Sequence, residues 1–210
     1  MFLLEAAVES LDAARAAATG GADRLELCTD LAHGGTTPAE QLIRDCRAQL
    51  TIPLFVLIRP RPGDFVYSDA EHRATLDQIR RAKAAGAQGI VSGDLTNEDR
   101  TRALIAATRP LSFTFHRAFD EIVDQPAALE RLIALGVERV LTSGGAKTAP
   151  EGAPRIRQLV TQARGRIAIL PGGGIDPTNV ARLVQETGVQ EVHFSAKDAE
   201  KVRKVRLALP

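Results

Sequence analysis

The chain has 210 residues with a net charge of +1, 44% hydrophobic and 25% charged. That is a globular composition and excludes collagen, coiled coil and long disorder. The near-balance of Lys and Arg against Asp and Glu, with no Trp and one Tyr (Tyr67), gives no basic face or stacking platform for nucleic acid.

In chain order, short apolar runs alternate with longer helical patterns. The spacing predicts strands near 2–6, 24–28, 53–58, 88–92, 111–116, 138–142, 166–170 and 190–194. Helices are expected over 8–18, 38–49, 69–85, 97–108, 124–135, 150–164, 176–186 and 198–207. The N-terminal stretch lacks a basic region, and Glu5 interrupts its apolar run, so no signal peptide is expected. No run approaches the roughly 20 apolar residues of a membrane span. Cys28 and Cys46 form no CxxC pair and are expected as free thiols of a cytoplasmic protein.

A repeat sets the phase of these elements. Gly21-Ala-Asp-Arg-Leu, Gly86-Ala-Gln-Gly-Ile, Gly136-Val-Glu-Arg-Val and Gly188-Val-Gln-Glu-Val each close a helix and open an even-numbered strand. Glycine just past a helix end adopts the left-handed conformation at least cost. Four double β–α units from end to end favour a single-domain (β/α)₈ barrel over 1–210, with a short eighth helix. An open doubly wound sheet is the alternative.

Strand alternation then selects the lumen residues. Glu26 and Cys28 should face inward, as should Ser112, Thr114 and His116, then Glu191, His193 and Ser195; Glu5 is expected to close the first strand and Arg59 the third. Barrel sites lie at the C-terminal ends of the strands. The loop after the third strand carries Arg59, Arg61 and Asp64 between prolines, and the fifth strand leads into His116-Arg117-Ala118-Phe119-Asp120. Their guanidinium forks suit a carboxylate or phosphate. The plain alternative is that the arginines bridge carboxylates such as Asp64 and Asp120. Gly172-Gly173-Gly174 should run into a helix capped by Asp176 with Pro177 in its first turn, presenting N–H groups to an anion. Ser195-Ala196-Lys197 would complete that cradle.

Several segments together resemble the copper homeostasis protein CutC family: Gly21-Ala-Asp-Arg-Leu-Glu-Leu-Cys28, Gly34-Gly-Thr-Thr-Pro38, Ile58-Arg-Pro-Arg61 with Gly63-Asp-Phe65 and Tyr67-Ser-Asp69, Thr114-Phe-His-Arg-Ala-Phe-Asp120, Arg139-Val-Leu-Thr-Ser-Gly144 and Pro171-Gly-Gly-Gly174. The resemblance implies a cytoplasmic (β/α)₈ barrel tied to copper handling and assembled as an oligomer, a homodimer being favoured. Where some members carry cysteines, this chain has Ala6, Ala7 and Val66.

Two chemistries follow. Copper(I) prefers thiolate, thioether and imidazole, and Cys28, His116 and His193 are the expected soft trio; the chain also offers Cys46, Met1, His33 and His72. The rival is an enzyme in which Arg59, Arg61, Arg117 and the glycine loop hold a phosphorylated or carboxylated metabolite. His116 or His193 then acts as general acid/base, oriented by Glu5 or Glu26, or Glu26 is itself the base if burial raises its pKa. The lack of a lysine at a predicted strand end argues against a Schiff-base aldolase.

Overall fold

The computed structural model describes residues 2–210. Eight strands alternate with eight helices: β1 (Leu3–Val8), α1 (Leu11–Thr19), β2 (Arg24–Leu27), α2 (Glu40–Gln49), β3 (Leu54–Leu57), α3 (Asp69–Ala84), β4 (Gly89–Ser92), α4 (Glu98–Thr108), β5 (Ser112–Phe115), α5 (Gln125–Ala134), β6 (Arg139–Thr142), α6 (Ala153–Ala163), β7 (Ala168–Pro171), α7 (Val180–Thr187), β8 (Glu191–Ser195) and α8 (Ala199–Ala208). All strand pairs are parallel, in the order β7-β6-β5-β4-β3-β2-β1-β8. A parallel bridge between Gly172 and His193 joins the two ends, so the sheet closes and the doubly wound alternative is excluded.

The glycine repeat works as expected, in two ways. Gly21, Gly86 and Gly136 have φ of +95°, +103° and +75°. Each sits in a paired turn in which the next residue's N–H reaches back to the last helical turn: Ala22 to Ala17, Ala87 to Ala82 and Val137 to Leu132. These are Schellman closures. The fourth copy is simpler: Gly188 itself caps α7, donating to Val184.

Two boundaries differ from expectation in ways that move the site. β1 runs on to Val8 because Ser10, not a residue near 8, caps α1. Glu5 therefore lies mid-strand, deep in the lumen, rather than closing the strand. α7 begins only at Val180. Asp176 instead folds back on Thr178, accepting from its N–H and hydroxyl, so the triple glycine does not run directly into a helix. α8, ten residues, is short as expected, although α7 with eight is shorter.

The apolar core lies mainly between sheet and helices, built from residues such as Leu25, Leu27, Ile90, Phe113 and Val192. A second cluster fills part of the lumen: Cys28, Phe55, Leu57 and Val91. Gly89 makes it possible, since a Cβ there would lie 2.5 Å from the Phe55 ring. Among the described residues no helix is long and apolar enough to cross a membrane.

Candidate functional site

The polar lumen is layered. At its floor Arg24, from β2, bonds Glu5 of β1 and lies 2.7 Å from Glu191 of β8. Arg139 of β6 grips the same Glu191 at 2.6 and 3.2 Å. Both guanidinium groups flank the Phe55 ring, at 4.8 and 5.6 Å. These buried ions satisfy one another, which is what desolvated charge requires.

One step toward the mouth the balance changes. His193 Nδ1 donates to Glu5 Oε1 at 2.8 Å and lies 3.8 Å from Glu26 Oε2. Register explains the meeting, because Glu5 pairs with His193 across β1 and β8, while Glu26 pairs with the next inward position, Ala7. Burial pushes Glu5 up, but the His193 hydrogen bond and the Arg24 charge outweigh it and hold the carboxyl at about 2. Glu26 shares the burial without such support. Desolvation, reinforced by the charge of Glu5, lifts it to about 7 against the opposing pull of His193 and Arg24. Burial disfavours the His193 imidazolium, yet the two carboxylates raise its pKa. At 3.8 Å Glu26 and His193 feel each other's charge but share no hydrogen bond, since Nδ1 is committed to Glu5. Glu26 accepts no hydrogen bond from any described residue, and its Oε2 is buried and unpartnered.

Above this layer a cavity of 360 Å³ opens at the C-terminal end of the strands, lined among others by Glu26, His193, His116, Arg117, Gly173 and Lys201. His116 is 3% exposed and packs on Phe65, with ring centroids 4.7 Å apart. Burial, aided by the Arg59 charge, depresses its pKa to about 3, so the ring is neutral. Arg117 projects from the loop after β5. Its Nε donates to Asp120 and its Nη2 to Ser143 Oγ, each at 2.8 Å. Its Nη1 has no acceptor among the described residues and passes Gly173, where a Cβ would come within 3.4 Å.

The site expected from sequence is partly gathered here and partly dispersed. Glu26, Arg59, His116, Arg117, Gly173, Gly174, His193 and Ser195 all line the cavity, with Glu5 directly beneath. Arg59, however, commits both Nη atoms to its own loops, donating to His33, Gly35 and Gly63 carbonyls, and only its buried Nε is left without a partner among the described residues. Arg61 and Asp64 do not reach the cavity: Arg61 binds Glu71, Asp64 and the Val66 carbonyl, stiffening the loop before α3. Asp120 is saturated by Arg117, Thr142, Ser143 and Gly145, and positions Arg117 rather than a ligand. Gly172 is a packing glycine, 2.6 Å from Leu141 at a notional Cβ. Lys197 lies along a neighbouring groove; Lys201, in the first turn of α8, takes the rim place instead. Sequence reasoning missed Lys201 because it sought cations at strand ends. The signal was Asp198, whose N-cap starts α8 at the barrel mouth and carries Lys201 into its first turn.

The soft-metal trio does not assemble. Among the described residues, the one group of three whose ligand atoms all lie within 4.8 Å of one another is Glu5, Glu26 and His193. Cys28 is fully buried among Phe55, Leu57 and Val91, with its thiol 3.6 Å from the Val8 carbonyl, and burial drives its pKa up. Its sulfur thus meets apolar side chains and one carbonyl, not the several soft donors that copper(I) prefers. Nor does the Glu5–Glu26–His193 group suit a cation, since Nδ1 is occupied by Glu5 and Arg24 already neutralises Glu5. Cys46 is buried in α2, His33 is paired with Asp30, and His72 lies 3.3 Å from Asp94. Met1 lies outside the described residues.

Comparison with known proteins agrees with this architecture. The model of the CutC family matches residues 2–198. The human copper homeostasis protein cutC homolog is 48% identical over 93% of this chain and 74% of its own length. A CutC family protein of Pasteurella multocida is 47% identical over 92% and 82%. The crystal structure of the Streptococcus agalactiae CutC protein superposes with a TM-score of 0.88 at 36% identity, covering 92% of this chain and 98% of that one.

Proposed function

From the premise that this chain belongs to the CutC family, we propose that its barrel mouth binds a small phosphorylated or carboxylated metabolite and performs acid/base chemistry on it. The observation that carries this reading is Glu26: a buried carboxyl with a pKa near 7 and an unpartnered oxygen, on the wall of a cavity with cations at its rim. A general base is most effective when its pKa lies near the working pH. Glu5 orients His193 through Nδ1, and the His193 charge tempers the upward shift that burial gives Glu26. Arg117, aimed by Asp120 and Ser143, holds the anion with Lys201 beside the open Gly173–Gly174 backbone.

Human and mouse relatives bear the name copper homeostasis protein. We assign this chain's part in copper homeostasis to the metabolite chemistry at the mouth, not to a copper(I) seat in the lumen. Its free, buried thiols fit a reducing cytoplasm.

Calorimetric titration with inorganic phosphate and with small phosphorylated acids tests the anion site. Binding is expected for the wild type and should weaken tenfold or more in Arg117→Ala and Lys201→Ala. Affinities unchanged in both variants would refute the site. A competition titration against a copper(I) chelator should show no stoichiometric complex that depends on Cys28; one abolished by Cys28→Ala would overturn the assignment of the copper role.

A further inference from the structure

Resting on that reading, we infer that the metabolite is a carbonyl compound with a hydrogen on the adjacent carbon, enolised between Glu26 as base and the Nε2–H of His116 as hydrogen-bond donor. Two unpartnered groups of opposite character on one cavity carry this inference. His116 Nδ1 accepts the Ala118 N–H at 3.3 Å, which places the ring proton on Nε2. Nε2 is buried and finds no acceptor. A buried donor left unanswered lowers stability, so its persistence at a cavity wall points to an oxygen supplied from outside the protein. Glu26 Oε2 is the complementary case, an acceptor with no donor.

The surroundings fix the roles. The Arg59 guanidinium lies 4.6 Å over the Phe65 ring, which in turn packs on His116. Burial, with this cation adding to it, keeps the imidazole neutral, so it donates a hydrogen bond without transferring its proton in advance. Such a donor serves an oxygen whose negative charge grows during reaction. Gly93 fixes the ring's other edge, since a Cβ there would meet Cε1 and Nδ1 at 2.8 Å.

The step balances without an oxidant or second substrate. Glu26 takes the hydrogen as a proton. The C–H pair becomes the C=C bond of the enolate, and the carbonyl π pair moves to oxygen, held by His116 Nε2–H. Return of a proton to carbon restores the carbonyl and frees Glu26. The anionic group at Arg117 and Lys201 keeps the intermediate from leaving.

Hydrogen exchange at carbon reports this step directly. Hydroxyacetone phosphate and pyruvate are incubated with the protein in D₂O at neutral pH and followed by proton NMR, with their binding measured in parallel by calorimetry. We expect deuterium to enter the carbon next to the carbonyl of at least one probe a hundredfold or more faster than in buffer. Glu26→Gln and His116→Leu should each slow it tenfold or more, and His116→Gln, which keeps an N–H donor, should recover part of the rate. His116→Leu also removes the acceptor of the Ala118 N–H, so its fold is checked by its thermal unfolding curve, and His116→Gln carries the comparison if that variant is destabilised. An exchange rate unmoved by His116→Leu and His116→Gln alike overturns the role of His116. Probes that bind but exchange no faster than in buffer overturn enolisation and leave the anion pocket standing. Failure of both to bind defeats the pocket as well.

Discussion

The floor and the mouth of the lumen are made from the same residue types, yet they are built to different rules. At the floor every ion has its partner: Arg24 and Arg139 converge on Glu191, and Glu5 closes the set. At the mouth, one layer up, Glu26 and His116 are equally buried but retain unanswered polar atoms. Folding alone would not select the second arrangement, because each unpaired buried group lowers stability. The contrast separates ion networks that hold a barrel together from groups kept ready for a ligand.

Substitutions should break the two regions differently. Arg24→Ala leaves Glu5 and Glu191 without a shared counter-ion, and about 3–5 kcal/mol of stability should be lost by chemical denaturation. Little change there would remove the distinction between the layers.

The mouth should appear as a pH effect of smaller size. Glu26 and His193 both bind protons more tightly folded than unfolded. Their stabilising contributions are therefore full at low pH and decline as pH rises, for Glu26 between about 4.5 and 7 and for His193 above 6.5. Glu5 acts oppositely, its contribution disappearing as pH falls from 4.5 toward 2. Unfolding free energy should thus peak near pH 5 and decline by pH 8, by on the order of 2 kcal/mol. Glu26→Gln should flatten the alkaline limb, as read from denaturant midpoints between pH 5 and 8.5. A limb as steep as that of the wild type would exclude Glu26 as its source.

Cys28→Ala should cost about 1–2 kcal/mol through lost packing among Phe55, Leu57 and Val91, with phosphate binding unaltered. Altered binding would give Cys28 a part in the site. Smallest of all, Arg61→Ala breaks solvent-screened pairs with Asp64 and Glu71 and should leave the denaturation midpoint close to that of the wild type. A tenfold loss of phosphate affinity in that variant would show that Arg61 reaches the ligand after all.

The fold was largely legible in the sequence because glycine and strand alternation are local signals. Gly21, Gly86 and Gly136 mark turns that need positive φ, and Glu26 and His193 point inward simply by counting residues along a strand. The arginines were not legible in the same way. Arg59, Arg61 and Arg117 each follow a strand and look alike, but only their neighbours decide where a guanidinium is spent. Carbonyls of Gly35 and Gly63 claim Arg59, Glu71 claims Arg61, and Asp120 leaves one edge of Arg117 open. Cys28 points inward as counting predicts, but direction does not reveal the apolar shell of Phe55, Leu57 and Val91 around its thiol. Lys201 escaped because its place depends on how α8 docks across the barrel.

A carbon-13 NMR titration of the glutamate carboxyls, with Glu26→Gln supplying the assignment, tests the central claim most directly. The Glu26 side-chain carboxyl should titrate with an inflection near pH 7 and respond to His193→Gln. An inflection at or below 4.5, the ordinary glutamate value, would contradict a poised base at the mouth of this barrel.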